Sequence, residues 1–171
     1  MLSCLWLEDS LAAFFPKYPR NKEGLGRLIA GFSAPGGFPS HINAETPGSI
    51  HEGGELGYAL SVAFGAVMDN PDLIVACVVG DGEAETGPTA TAWHGYKYID
   101  PAESGAVIPI VHVNGFKISE RTIYGTMDDL EMCALFRSAA PALILSESHQ
   151  TDILSHIPYH TWSVHPMDSR D

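Results

Sequence analysis

Residues 73–82 read LIVACVVGDG, an unbroken apolar run rich in β-branched side chains that stops at an aspartate held between two glycines. A strand with one wet face alternates apolar and polar residues, so a continuous run predicts a parallel strand covered on both faces. Residues 106–113, AVIPIVHV, predict a second buried strand, which stops at Asn114–Gly115. Between them lie a helical pattern that includes Ala90–Tyr98 and the turn-rich stretch 100–105. Upstream, Leu56, Leu60, Ala63, Phe64 and Val67 recur at spacings of three and four, which predicts a helix over 55–70 closed by Pro71. Helix, strand, helix, strand is the order of an α/β fold, a parallel sheet flanked by helices.

The flanks are less regular. Residues 10–15 and 22–29 predict short helices, separated by Pro16 and Pro19. The glycine- and proline-dense stretch 31–54, GFSAPGGFPSHINAETPGSIHEGG, predicts a long loop of functional character, since Phe32, Phe38, His41 and Ile42 interrupt what would otherwise be a free linker. A last amphipathic helix is expected over 127–137, with Leu130, Ala134 and Phe136 on its apolar face and Asp128, Asp129 and Glu131 at its solvated start. With 171 residues the chain is expected to form one globular unit. Its net charge of −12 argues against capture of nucleic acid or an anionic membrane by bulk electrostatics. Cys4, Cys77 and Cys133 form no C-x-x-C pair and no apolar run reaches membrane-spanning length, so a soluble, cytoplasmic protein without disulfides is expected.

Chemistry is expected where the two strands end, because loops and helix starts converge at the carboxyl edge of a parallel sheet. The first end delivers Asp81 and the second Asn114, 33 positions later. A carboxylate and an amide oxygen are hard ligands suited to Mg²⁺ or Ca²⁺, and a backbone carbonyl just beyond Asn114 could add a third oxygen. Gly80 and Gly82 let the backbone approach a phosphate. In a chain of this charge a divalent cation must be the main counter-charge for any bound diphosphate. Taken alone, Gly-Asp-Gly is also an ordinary turn after a strand.

Five stretches, in order, carry a wider resemblance: SHINAETP (40–47), TPGSIHEGGELGY (46–58), GDGEAETGP (80–88), ATAWH (90–94) and VNGFKIS (113–119). Together they resemble the signatures of the phosphoketolases, thiamine-diphosphate enzymes that cleave sugar phosphates. The resemblance runs from about Leu5 to Phe136. It implies that Asp81, Asn114 and the main-chain oxygen of Phe116 ligate Mg²⁺; many relatives have Tyr at Phe116, a swap that leaves a backbone ligand intact. It further implies that the backbone at Gly80, Gly82 and Glu83 meets the diphosphate, that Gly54 and Leu56 meet the aminopyrimidine side, and that His41 contacts substrate and assists proton transfer. His51 and Glu52 are read as shaping the turn before the helix, and Trp93 and His94 as packing residues.

The resemblance implies an aldehyde-lyase of carbohydrate metabolism that converts xylulose 5-phosphate or fructose 6-phosphate, with inorganic phosphate, to acetyl phosphate and an aldose phosphate. A homo-oligomer is implied for the full-length enzyme. Residues 1–137 are expected to form part of its diphosphate-binding domain, and 138–171 a divergent tail, disordered or an artefact of the gene model, with 150–171 foreign to the fold. A segment with further histidines upstream and a pyrimidine-binding domain downstream are expected to be missing, leaving the isolated chain inactive. The alternatives are a non-catalytic remnant that binds cofactor, or a transketolase-like enzyme. In the tail His149, His156, His160 and His165 give a competing metal signal, but Pro158 spoils the i, i+4 geometry of His156 and His160.

Overall fold

The fold is seen in a computed structural model that describes residues 1–139 and 144–147. Three short helices come first: α1 (Leu2–Leu7), α2 (Leu11–Phe14) and α3 (Lys22–Gly31). The Asn21 side chain caps α3 by accepting the Gly24 amide at 2.9 Å, an interaction worth about 1 kcal/mol. Leu11, Tyr18, Leu28 and Phe38 bury a small apolar cluster here, with the Phe15 and Phe38 rings edge to face at 5.1 Å. The predicted loop then runs from Phe32 to Tyr58 without a regular element.

The main body comprises α4 (Ala59–Val67), β1 (Ile74–Gly80), α5 (Asp81–Ala84), α6 (Thr89–Ala92), a 3-10 turn (Gly95–Tyr98), β2 (Ala106–Val113), a second 3-10 turn (Tyr124–Thr126), α7 (Asp129–Ala139) and β3 (Ile144–Glu147). The strands form a parallel sheet in the order β1-β2-β3, with Gly80 opposite His112 and Val113 opposite Glu147. This is the predicted α/β architecture, with α1 and β3 in addition to the predicted elements. Leu60, Ala63, Cys77, Val79, Trp93, Val111, Met132 and Phe136 form the core.

Several expectations are corrected. β1 is covered on one face only: Cys77 and Val79 are buried, whereas Ile74 and Val78 are 68% and 65% exposed. An apolar run records which environments a strand tolerates, and among the described residues no layer covers that second face. The helix expected over 55–70 is confined to α4, because Gly57 adopts φ +89°, outside the helical region, and Asp69 at φ +55° follows its end. The helix expected to include 90–98 breaks into α6 and a 3-10 turn, where Gly95 lies so close under the Phe64 ring that a Cβ would overlap it. Among the described side chains of α7, Met132 and Phe136 are buried, while Leu130 and Ala134 are exposed. The acids at its start form a reciprocal cap: Asp128 Oδ1 accepts the Glu131 amide at 2.9 Å and Glu131 Oε2 accepts the Asp128 amide at 3.1 Å.

Burial, with the Glu83 charge second, pushes the Cys77 thiol up to about 12. Thiolate is the reactive form, so raising the pKa removes reactivity at neutral pH. Alkylation of the native chain at pH 8 should therefore modify exposed Cys4 and leave Cys77 unlabelled, as peptide mass mapping would show; prompt labelling of Cys77 would contradict this packing.

Candidate functional site

The parallel register brings the ends of β1 and β2 side by side, and Asp81 bridges them. Its side chain is 1% exposed. Oδ2 accepts the Gly115 amide at 2.9 Å and the Thr122 hydroxyl at 2.6 Å, which fills its two lone pairs. Oδ1 accepts only the Gly82 amide, at 3.1 Å, and keeps acceptor capacity. Among the described residues no cation lies within ion-pair distance of this carboxylate. Asn114 sits at the neighbouring tip, its Oδ1 accepting the Phe116 amide at 2.8 Å. Gly115 takes φ +79° beside it, and Gly125 packs so closely against Gly115 that a Cβ on Gly125 would overlap its backbone.

Beyond Asn114 the chain folds back on itself. Thr122 donates its amide to the Gly115 carbonyl at 3.1 Å, Lys117 donates its amide to the Glu120 carbonyl at 2.7 Å, and Phe116 and Arg121 form an antiparallel bridge. The Lys117 stem lies over Gly82, where a Cβ would come within 3.1 Å of Cγ. Its ammonium pairs with Glu85, whose other oxygen, Oε2, accepts the Ile123 and Tyr124 amides at 2.8 and 3.4 Å. Burial, and then the Glu85 charge, raises the Tyr124 phenol above its ordinary value.

A second seam joins the two long motifs. Glu83 Oε1 accepts the amides of Gly57 and Ala59 at 3.1 and 3.4 Å, so the GDG segment caps the start of α4 across 26 positions. Thr89 donates its amide to the Gly57 carbonyl at 2.8 Å, and Gly57 and Gly87 approach so closely that a Cβ on either would lie 3.1 Å from backbone oxygen. Leu56 is exposed on this turn.

His41 stands apart from the Asp81 network. It is exposed, with Nδ1 3.0 Å from the Ser40 hydroxyl, and its ring faces Gly54. The Gly53 amide donates to the Ile42 carbonyl at 2.6 Å, and Glu52 Oε1 accepts the Gly54 amide at 3.2 Å, consistent with a turn-shaping role for Glu52. Trp93 is buried and donates Nε1–H to the Ala84 carbonyl at 3.2 Å, whereas His94 is exposed.

The structure thus gathers Asp81, Gly82, Glu83, Asn114 and Phe116, with Gly80 at the end of β1, and brings Leu56 beside them through the Gly57 turn, whereas Gly54 lies with Glu52 and His41. Thr122, Glu85 and Lys117 carry no signal of their own in the sequence, because their partners lie far away in the chain. The tail histidines lie outside the described residues. Among the described residues there is no cluster of three or more His, Cys, Asp or Glu side chains able to hold a metal, so a cation at this site would rest on mixed oxygen donors. A buried acid with spare acceptor capacity, a neighbouring amide oxygen and a following backbone carbonyl suit a hard divalent ion.

Comparison with known proteins agrees with the motif reading. The family model described as the XFP N-terminal domain matches residues 1–157. The chain is 72% identical over 136 residues to a probable phosphoketolase of Schizosaccharomyces pombe, covering 80% of this chain and 16% of that protein. It is 58% identical over 137 residues to a probable phosphoketolase of Bradyrhizobium diazoefficiens, covering 80% and 17%, and 52% identical over 151 residues to one of Rhodopseudomonas palustris, covering 88% and 19%. The chain therefore spans less than a fifth of the length of these relatives.

Proposed function

This chain belongs to the phosphoketolase family, in the part described as the XFP N-terminal domain, and we propose on that footing that its strand tips hold the diphosphate end of thiamine diphosphate through Mg²⁺. The observation that carries the reading is the Asp81 carboxylate: buried, hydrogen-bonded, and without a cationic partner among the described residues. A buried charge is costly without a counter-charge, and here the donors are provided but the cation is not. Mg²⁺ would supply it, held by Asp81 Oδ1, Asn114 Oδ1 and the Phe116 carbonyl oxygen, with phosphate oxygens sharing the ion. Gly80 and Gly82 keep side chains away from the diphosphate, and the backbone at Gly82 and Glu83 meets it. Gly54 and Leu56 serve the aminopyrimidine side.

When bound, the thiazolium ring supplies the electron sink for breaking a carbon–carbon bond beside a carbonyl. His41 contacts the sugar phosphate and moves a proton at a substrate oxygen, with Ser40 orienting its ring through Nδ1. In the whole enzyme the reaction is cleavage of xylulose 5-phosphate or fructose 6-phosphate by inorganic phosphate, giving acetyl phosphate, an aldose phosphate and water, in a cytoplasmic homo-oligomer. The 171-residue chain by itself is proposed to bind cofactor without turnover, because a diphosphate clasp and one histidine supply only part of the proton transfer and anion stabilisation required.

Equilibrium dialysis tests the binding directly. The chain should retain thiamine diphosphate with Mg²⁺ and lose it in EDTA; equal retention in both buffers would remove the metal from the reading. Acetyl phosphate trapped as its hydroxamate tests turnover, and steady product from this chain alone would overturn the inactive assignment.

A further inference from the structure

Glu85 occupies a position that no part of the proposed metal or cofactor contacts requires, yet its side chain is 5% exposed. One carboxylate spans two structural layers. It leaves the chain just after α5, the turn that carries Asp81, and reaches 38 positions forward to accept the Ile123 amide at 2.8 Å and the Tyr124 amide at 3.4 Å. Its other oxygen pairs with the Lys117 ammonium, whose stem lies over Gly82. The three partners lie within the 115–126 fold-back, which contains both Phe116 and Thr122. Thr122 touches Asp81 Oδ2, and the Phe116 carbonyl is the backbone oxygen offered to the metal.

We infer that Glu85 is a positioning residue: it fastens the 115–126 fold-back onto the Asp81 turn and so sets the distance between the two halves of the metal clasp. The inference rests on the proposed Mg²⁺ and diphosphate reading for its consequence, though the fastening itself is a property of the chain alone. Two hydrogen bonds to main-chain amides and an ion pair with an ammonium fix a loop more firmly than side-chain packing would, since bonds to an ionised acceptor are the stronger kind. Lys117, 42% exposed, is held across Gly82 by the same carboxylate, so the phosphate side of the site acquires a cation whose place depends on Glu85.

Two substitutions separate the roles. Glu85→Ala removes every partner, whereas Glu85→Gln keeps an oxygen for the Ile123 and Tyr124 amides and gives up the charge that Lys117 needs. In the cofactor-free chain, Glu85→Ala should speed hydrogen exchange at those two amides on the order of tenfold or more, and Glu85→Gln should restore most of the protection. In Mg²⁺ titrations at fixed thiamine diphosphate, followed by tryptophan fluorescence, Glu85→Ala should raise the half-saturating Mg²⁺ concentration about tenfold, with Glu85→Gln in between, while exchange at core amides such as Val79 and Val111 stays as in the wild type. General destabilisation would instead accelerate the core amides too, and that outcome overturns the inference. So does wild-type exchange at Ile123 and Tyr124 in Glu85→Ala, or an unchanged Mg²⁺ midpoint in a variant whose loop is freed. If the wild-type chain binds no cofactor while Glu85→Ala frees the two amides, the cofactor reading falls and the fastening stands.

Discussion

Asp81→Ala should abolish the Mg²⁺-dependent rise in melting temperature that thiamine diphosphate confers on this chain. With ligand at a hundred times its dissociation constant, the wild type gains about 2.7 kcal/mol, which for a chain of this size is roughly 5–10 °C. The alanine variant should gain nothing. It should also melt lower without cofactor, because the buried Gly115 amide and Thr122 hydroxyl each lose their acceptor, at about 1–3 kcal/mol apiece. Asp81→Asn separates metal from architecture. One amide oxygen can still receive Gly115 and Thr122; the amide nitrogen in place of Oδ1 gives up the part-buried Gly82 contact, which loss of the uncompensated buried charge offsets, so metal-free stability should stay within about 1 kcal/mol of wild type. The response to Mg²⁺ should still vanish. A full Mg²⁺-dependent shift in Asp81→Asn would dismiss the carboxylate as a ligand and leave it a purely structural acceptor.

What could be read in advance follows from the range over which each feature is encoded. β1 and β2 declare themselves because a parallel strand is a local apolar run ended by turn residues, and Asp81 and Asn114 follow as the residues at the two stops. Thr122 and Glu85 could not be found that way. Each earns its role by contacts 41 and 38 positions distant, and a threonine or glutamate in a polar loop looks the same whether or not it has such a partner. The start of α4 is hidden for the same reason, since its Ala59 amide finds its acceptor in Glu83, 24 positions away. The bare face of β1 shows the converse: Ile74 and Val78 advertise a covering layer that the described residues do not provide. β3 leaves no signal because four residues, ILSE, are too short a window for either periodicity to register.

Phe136→Ala should be the most destabilising single change in the core, and it should reach the site. The ring is 1% exposed and lies between two others, edge to face with Trp93 at 4.7 Å and with Tyr124 at 5.2 Å. Removing a buried phenyl costs about 3–5 kcal/mol, a large share of the ~5–15 kcal/mol that holds a domain of ordinary stability together. Trp93 Nε1–H and the Tyr124 hydroxyl both donate to the Ala84 carbonyl, at 3.2 and 3.4 Å, and Ala84 closes the short helix that Asp81 opens. A cavity at Phe136 therefore releases the two rings that brace the Asp81 turn, and Mg²⁺-dependent cofactor binding should weaken along with stability. Phe136→Leu keeps most of the volume and should recover more than half of the loss. Urea unfolding followed by tryptophan fluorescence gives the midpoint, which should fall sharply for Ala and modestly for Leu at an unchanged slope. A midpoint for Phe136→Ala equivalent to less than about 1 kcal/mol of loss would mean that α7 does not brace this sheet edge as its ring contacts indicate.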